Sequence, residues 1–563
     1  MIDHQLRTRL RSGLDEPLTA PLARVAEAFA DKPAIDFLGR VTSWADLVDQ
    51  IDRLARGLAA IGVKKGDRVG LLLPNTPYYV ISFYAVTRLG AIVVNFNPLY
   101  AEEEILHQVE DSGVSLMITL DLKLMLPKVL KAVEVTDLAK IVVCPLGDAM
   151  PTSIGMMYSL FKRTERFSPP AQAPCITFGR LLDIGRDAAL PEVIIDPKSD
   201  LAVLQYTGGT TGRPKGAMLT HDNLVTNAAQ VAYWCDDLVP GEERMLGVLP
   251  LFHVFAMTVV MNMSVQLGAT MVLLPRFNLQ QVLNTIARKK PTIFPGVPTL
   301  FNAIVQHPKV ARFDLTSLRF CISGGAPLPV EVKSAFEAQT GCVMVEGYGL
   351  SEASPVVPSN PTSGENKAGS IGLPLDGSRL SFRDLEDPTR EVVEGELGEI
   401  CVRGPQVMPG YWRRPEATQD CFVDGWLRTG DVGYLDEDGY TFLVDRIKDL
   451  IIVNGYNVYP RTIEDAIYAH EEVAEVTVIG VDCPDRGQVP KAFVRLKKEG
   501  ALDEAGLLAF LKPKLSPMEI PRQIEFRDEL PKTMIGKLSK KELVAEERSR
   551  DPAIEPATVE TVA

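Results

Sequence analysis

Between Asp67 and Pro98 the chain writes strand, helix and strand with almost no polar interruption. DRVGLLLP is a continuous apolar run of strand length, PYYVISFYAVTRLG an apolar helix closed by glycine, and AIVVNF a second strand. A strand that is apolar on both faces has to be covered on both, and the helix between the two runs supplies both crossover and cover, which demands a parallel sheet clad in helices. VSLMITL (115–121) and KIVVCP (140–145) predict further strands of that sheet. The rhythm returns after Asp200 with LAVLQYT, a glycine-rich stretch, a helix around NLVTNAAQVAYW, and then PTIFPGVP, LRFCISGG and CVMVEGYG. The expected fold class is α/β, with two α/β layers before residue 360.

At 563 residues the chain is too long for one hydrophobic core. After Pro361 the texture changes to short strands between Gly, Pro and Asp turns: GEICVRG, GWLRTGD and LDEDGYTFLVDR, with Asp438-Gly439 as a hairpin signal. Residues 361–445 therefore read as a small β-barrel-like part of a large N-terminal domain, 1–445. Residues 446–548 read as a small α+β domain: a helix TIEDAIYAH behind a Thr462 cap with Asp465 three residues on, strands AEVTVIGV, KAFVRL and QIEFRD, and helices LLAFLKPKL and KKELVAEERSR. Residues 549–563 are expected to be a disordered tail.

Charge and cysteine spacing exclude several classes. The net charge is −14 with no block of lysines or arginines, which argues against a nucleic-acid partner while leaving small anions open. Eight cysteines lie far apart, without a CxxC pair or Cys/His cluster, so zinc and a disulfide framework both lose on spacing and a reducing compartment is the default. MIDHQLRTRLRSGL has no apolar secretory segment, and the expected location is the cytoplasm. Met245–Pro275 passes without a formal charge, but Pro250, His253, Asn262 and Gln266 favour a buried strand–helix–strand over a membrane span. PTSIGMMYSLFKRTERFSPP, at 151–170, mixes apolar and basic residues between prolines; it reads as a surface excursion packed on the body, with peripheral contact to the inner face of the cytoplasmic membrane as the alternative.

YTGGTTGRPKG, residues 206–216, follows an apolar strand, where ligands of α/β sheets usually sit. Gly208, Gly209, Gly212 and Gly216 allow backbone N–H groups close to a ligand, Thr207, Thr210 and Thr211 add hydroxyl donors beside Tyr206, and Lys215 adds a mobile positive charge. That set suits a polyphosphate. It is not a P-loop, because Arg213 and Pro214 stand before the lysine and Gly216 after it; a flexible surface turn is the plain alternative.

The stretch resembles the phosphate-binding loop of the adenylate-forming enzymes, which include acyl-CoA synthetases, peptide-synthetase adenylation domains and luciferases; Gly208 stands where many members have serine. Later motifs extend the resemblance along nearly the whole chain. In ISGGAPLP, Gly324, Gly325 and Ala326 correspond to a backbone segment facing adenine. In EGYGLSE, Tyr348 and Gly349 border the base, Ser351 replaces the usual threonine, and Glu352 is a carboxylate for Mg²⁺, with Thr207 as its companion. Asp431 in WLRTGD matches the ribose-binding aspartate. In DRIKDLIIVNGYNVYP the resemblance implies that Arg446 reaches the nucleotide, Lys448 is the hinge of a mobile C-terminal domain, and Gly455 lets the pantetheine arm of CoA pass. Lys537 in PKTMIGKLSKKEL matches the catalytic lysine, acting with Lys215, Glu352 and Arg446. His253 in PLFHVF, with Gly325 and Gly349, would border the acyl carboxylate; taken alone, a histidine in an apolar segment is more often a core residue.

YTGGTTG, LFHVF, EGYGLSE and GPQVMPGYW are together most similar to the bacterial long-chain fatty acid–CoA ligase branch. The resemblance implies activation of a fatty acid by ATP and Mg²⁺ to acyl-AMP, releasing pyrophosphate, and then transfer to CoA. Medium-chain or aryl acids, and a non-catalytic membrane-associated lipid-binding protein, are the alternatives. Met257–Leu274 could line an acyl tunnel or simply fill the core, and a homodimer stays open.

Overall fold

The computed structural model describes residues 4–207, 214–483, 485–498, 500–533 and 536–550. Three sheets and a small C-terminal domain carry the chain. The first sheet has seven strands in the order Cys175–Thr177, Lys140–Cys144, Leu116–Leu120, Arg68–Leu72, Ile92–Asn95, Leu201–Thr207, Lys215–Thr220. All pairs are parallel except the last, where Thr207 faces Lys215 and Tyr206 faces Gly216. The apolar runs of the sequence are its central strands, buried on both faces.

The second sheet has nine strands, among them Arg244–Gly247, Thr270–Leu273, Ile293–Gly296, Phe320–Gly324 and Val343–Gly349. Its far edge is a hairpin from the start of the chain, Pro33–Phe37 and Arg40–Ser43, with Ile35 paired to Met271. The uncharged segment after Met245 folds as strand, helix and strand, its helix passing through a π stretch at Met257–Asn262. Among the described residues no helix is long and apolar enough to cross a membrane. The third sheet, Arg379–Arg383, Gly398–Arg403, Phe422–Val423, Trp426–Leu435 and Thr441–Arg446, is the β-rich part.

Helices fill the gaps between sheets. Trp44–Ala60 starts at Ser43, whose hydroxyl accepts from the Asp46 N–H (3.1 Å), a cap contributing about 1 kcal/mol. Leu47, Ile51, Leu54 and Leu58 recur on one side and are buried. The opposite approach is glycine to backbone. Gly57 lies under the Leu181 carbonyl, and Gly185, in the helix Phe178–Asp187, lies under that of Arg53.

After Arg446 a separate small sheet forms from Ile451–Val453, Tyr456–Val458, Val473–Cys483, Gly487–Leu496 and Gln523–Phe526. Its core of Ile451, Val453, Ile463, Ile467, Val478, Leu507 and others shares no residue with the large core. One expectation is corrected here. The helix opens at Pro460 after Tyr459, not at a Thr462 cap, because proline fits the first helical position, where no N–H partner is needed. The last helix, Lys540–Arg550, runs through residues 549 and 550, two positions into the expected tail; the remainder, 551–563, lies outside the described residues.

Candidate active site

Five of the predicted residues, from five separate stretches of sequence, meet around the side chain of Lys537. Its loop is held by Thr533, whose hydroxyl accepts from the Lys537 N–H (3.1 Å), and it docks on the large domain where the Thr299 hydroxyl donates to the Gly536 carbonyl (2.6 Å). The side chain then lies against Gly325, which ends the strand Phe320–Gly324 in the left-handed region, φ +82°. A Cβ at Gly325 would stand 2.5 Å from Lys537 Cε, so both the turn and the lysine require glycine there. Burial, and then the positive charge of Arg446, hold the Lys537 ammonium down at about 8, with Asp431 pulling the other way.

Asp431 is buried in the strand Trp426–Leu435. The Arg446 Nε donates to its Oδ1 (3.1 Å), and the Tyr348 hydroxyl donates to its Oδ2. Burial raises the Asp431 carboxyl above its usual range against the opposing pull of Arg446. Each oxygen keeps one further acceptor direction, so the carboxylate can still receive hydroxyl donors. Tyr348 itself is 9% exposed and packs with Ile371, Phe382 and Ile400, its ring closing the floor of this corner.

His253 caps a helical turn, with the Phe255 N–H donating to its Nδ1 (3.3 Å). Burial and the Lys537 charge depress the imidazolium to about 3. The ring is therefore neutral at pH 7, Nδ1 is spent as an acceptor, and Nε2–H remains as a donor. Such a ring can orient a carboxylate and is a poor proton shuttle.

A second group forms around Tyr411, which the sequence reading did not single out. Its hydroxyl donates to Glu352 Oε1 (2.7 Å), and its ring lies 5.2 Å from Lys215 Nζ in a cation–π arrangement. Backbone bonds lock this corner: Trp412 N–H to the Gly216 carbonyl and Met408 N–H to the Glu352 carbonyl, both 2.8 Å. The Thr207 hydroxyl donates to the Lys215 carbonyl (3.4 Å). The GYW of GPQVMPGYW carried the only signal, an aromatic pair after glycine. Gly208, Gly209, Thr210, Thr211 and Gly212, the centre of the predicted phosphate loop, lie outside the described residues.

Gly349 cannot carry a side chain, since a Cβ would run into the Pro355 carbonyl. Ser351 and Glu352 share the short turn Ser351–Ala353, and Gly324 and Ala326 flank Gly325. Among the described residues no cluster of three metal-binding side chains exists. Glu352 alone nevertheless fits Mg²⁺, which often takes one protein carboxylate plus substrate phosphates; Tyr411 occupies Oε1, and among the described residues no hydrogen bond engages Oε2. Lys448 is exposed in the turn Ile447–Asp449 that links the two domains. Gly455 sits apart from the Lys537 group, at an open hairpin tip where Asn454 (φ +52°) and Gly455 (φ +82°) form a tight two-residue turn.

Comparison with known proteins agrees in extent with this arrangement. The AMP-binding enzyme family matches residues 22–412, and the AMP-binding enzyme C-terminal domain matches 462–537. A long-chain-fatty-acid–CoA ligase of Bacillus subtilis (strain 168) is 44% identical, covering 95% of each chain. A feruloyl-CoA synthase of an Amycolatopsis species is 36% identical over 90% of this chain and 94% of its own. Among solved structures, the anthranilate CoA ligase AuaEII in complex with anthranoyl-AMP superposes with a TM-score of 0.83 at 28% identity, covering 96% of this chain and 98% of its own. The chain belongs to the AMP-binding family of adenylate-forming enzymes.

Proposed function

We propose that the chain joins long-chain fatty acids to CoA through an acyl-AMP intermediate. The observation that carries this reading is the convergence of Lys537, Arg446, Asp431, Gly325 and His253 at one corner, where a nucleotide and an acyl carboxylate would lie side by side. A carboxylate oxygen attacks the α-phosphorus of ATP, the P–O bond to the β-phosphate breaks, and pyrophosphate leaves. Such a transfer asks the protein for alignment and charge neutralisation above all. Asp431 receives the ribose hydroxyls, Lys537 and Arg446 face the developing negative charge, and His253 Nε2–H orients the attacking carboxylate. Lys215 and the threonine-glycine strip take the departing phosphates. Glu352, with Thr207, would hold Mg²⁺, which supplies phosphate charge neutralisation when bound.

In the second half-reaction the thiol of CoA attacks the acyl carbon and AMP leaves. Lys537 has then finished its work, and rotation of the C-terminal domain about Lys448 carries it out and brings the hairpin bearing Gly455 toward the thiol's path. The chain length is supported by the 44% identity to the Bacillus subtilis ligase. An aryl acid is the second reading, favoured by the feruloyl-CoA synthase at 36%. Thioester formation with a panel from acetate through oleate, plus benzoate and cinnamate, separates the two. Turnover should rise with chain length to a maximum among long-chain acids; a maximum at cinnamate would replace the fatty-acid reading.

A further inference from the structure

The helix Thr152–Phe161, TSIGMMYSLF, is built the wrong way round for a surface helix. In an ordinary one the apolar stripe faces the body and the polar face meets water. Here the inward residues are small or polar. Gly155 abuts the backbone of Gly147, and Tyr158 and Ser159 are half-buried beside it. Ile154, Met156, Met157, Leu160 and Phe161 point outward, the last 78% exposed. At 100° per residue these five sweep most of the solvent half of the helix, interrupted only by Ser153. Leu124, 52% exposed, belongs to the adjoining loop, where the Lys123 N–H donates to the Glu165 carbonyl (2.9 Å).

We propose that this outward face docks on an anionic lipid bilayer. Two observations choose the occupant. The first is charge: residues 151–170 carry three basic side chains and one acidic in a chain whose net charge is −14. Lys162 pairs with Glu165, and Arg166 with Asp121, while Arg163 and Lys123 have no side-chain partner among the described residues and stand beside the apolar face. Cations flanking a short outward apolar helix are the pattern of an interfacial anchor. The second is area. Five side chains of this exposure offer on the order of 600 Å², short of the about 800 Å² that each partner of a stable protein interface buries.

The helix follows the strand Lys140–Cys144 at its C-terminal end. The strand Leu201–Thr207, which leads into the phosphate loop, opens at the same edge of this sheet, four strand spacings or about 19 Å away. A chain resting on a bilayer through this helix would hold its reaction corner within reach of the interface.

The test is co-sedimentation of the full chain with vesicles of phosphatidylcholine mixed with phosphatidylglycerol. Wild type should partition to these vesicles and several-fold less to phosphatidylcholine alone. The triple variant Met157→Ser, Leu160→Ser, Phe161→Ser should lose at least about tenfold in partition. It removes only exposed groups, so its pyrophosphate exchange without vesicles should match wild type. Failure of wild type to bind, or equal binding by the triple variant, overturns the proposal. A wild-type dimer that the triple variant turns into monomer overturns it too, assigning the face to a second copy.

Discussion

On the proposed mechanism Lys537 is the side chain on which adenylation turns, and its environment makes its charge conditional. Placed at about 8 by burial and by Arg446, the ammonium is mostly protonated at pH 7 and is lost as pH rises through that value. The kcat/KM for adenylation should therefore fall above about pH 8, and Lys537→Arg, whose guanidinium does not titrate, should remove that fall; pyrophosphate exchange from neutral to alkaline pH reads both. Lys537→Ala should cut acyl-AMP formation by roughly 10²–10³-fold while sparing thioester formation from supplied acyl-AMP. Equal loss of the two half-reactions would refute that separation of roles. Candidates such as Lys537, Asp431 and Glu352 could be singled out in the sequence because their motifs are contiguous. Tyr411 was not, because its importance lies in touching Glu352 and Lys215, which are 59 and 196 positions away in sequence (411 − 352 and 411 − 215). Gly455 shows the reverse: its backbone angle is already required by the Asn454-Gly455 turn, whatever passes over it.

At the level of strands and helices, the buried parallel strands were legible because an apolar run of that length has few other homes. The N-terminal hairpin was not, since nothing local in Pro33–Ser43 tells it to join a strand at Thr270. The outward helix at Thr152–Phe161 shows the limit of periodicity: the sequence reveals an apolar face and is silent on which way it points. Helix packing is just as dependent on remote partners. Gly57 and Gly185 let two helices touch backbone to backbone, a fact written in neither segment alone. Gly185→Val should drive its side chain into the Arg53 carbonyl and destabilise the large domain by about 1–3 kcal/mol, seen as an earlier denaturant midpoint. An unchanged midpoint would mean the helices can separate freely.

For the molecule as a whole, the placement of Lys537 against Gly325 corresponds, on the proposed mechanism, to a C-terminal domain with its lysine delivered. Substituting Lys448 by proline should test whether delivery has to be reversed. Proline fixes φ near −65° and stiffens this exposed turn between domains. Adenylation should survive, and thioester formation should slow by about tenfold or more, measured as acyl-AMP accumulation in single-turnover reactions. Equal rates for both steps would place the pivot elsewhere.

The seam between the domains explains how such a movement could be repeated without wear. No apolar cluster among the described residues crosses it. The hydrogen bonds that cross it among the described residues include a handful of polar links: Thr299 to Gly536, Asn302 to Ala474, and Arg461 to Leu443 and Asp445. Water can replace each of these bonds in kind, so parting them leaves no donor or acceptor of theirs without a partner. An oily joint would weld shut; this one can be opened at every turnover and closed again on the next molecule of ATP.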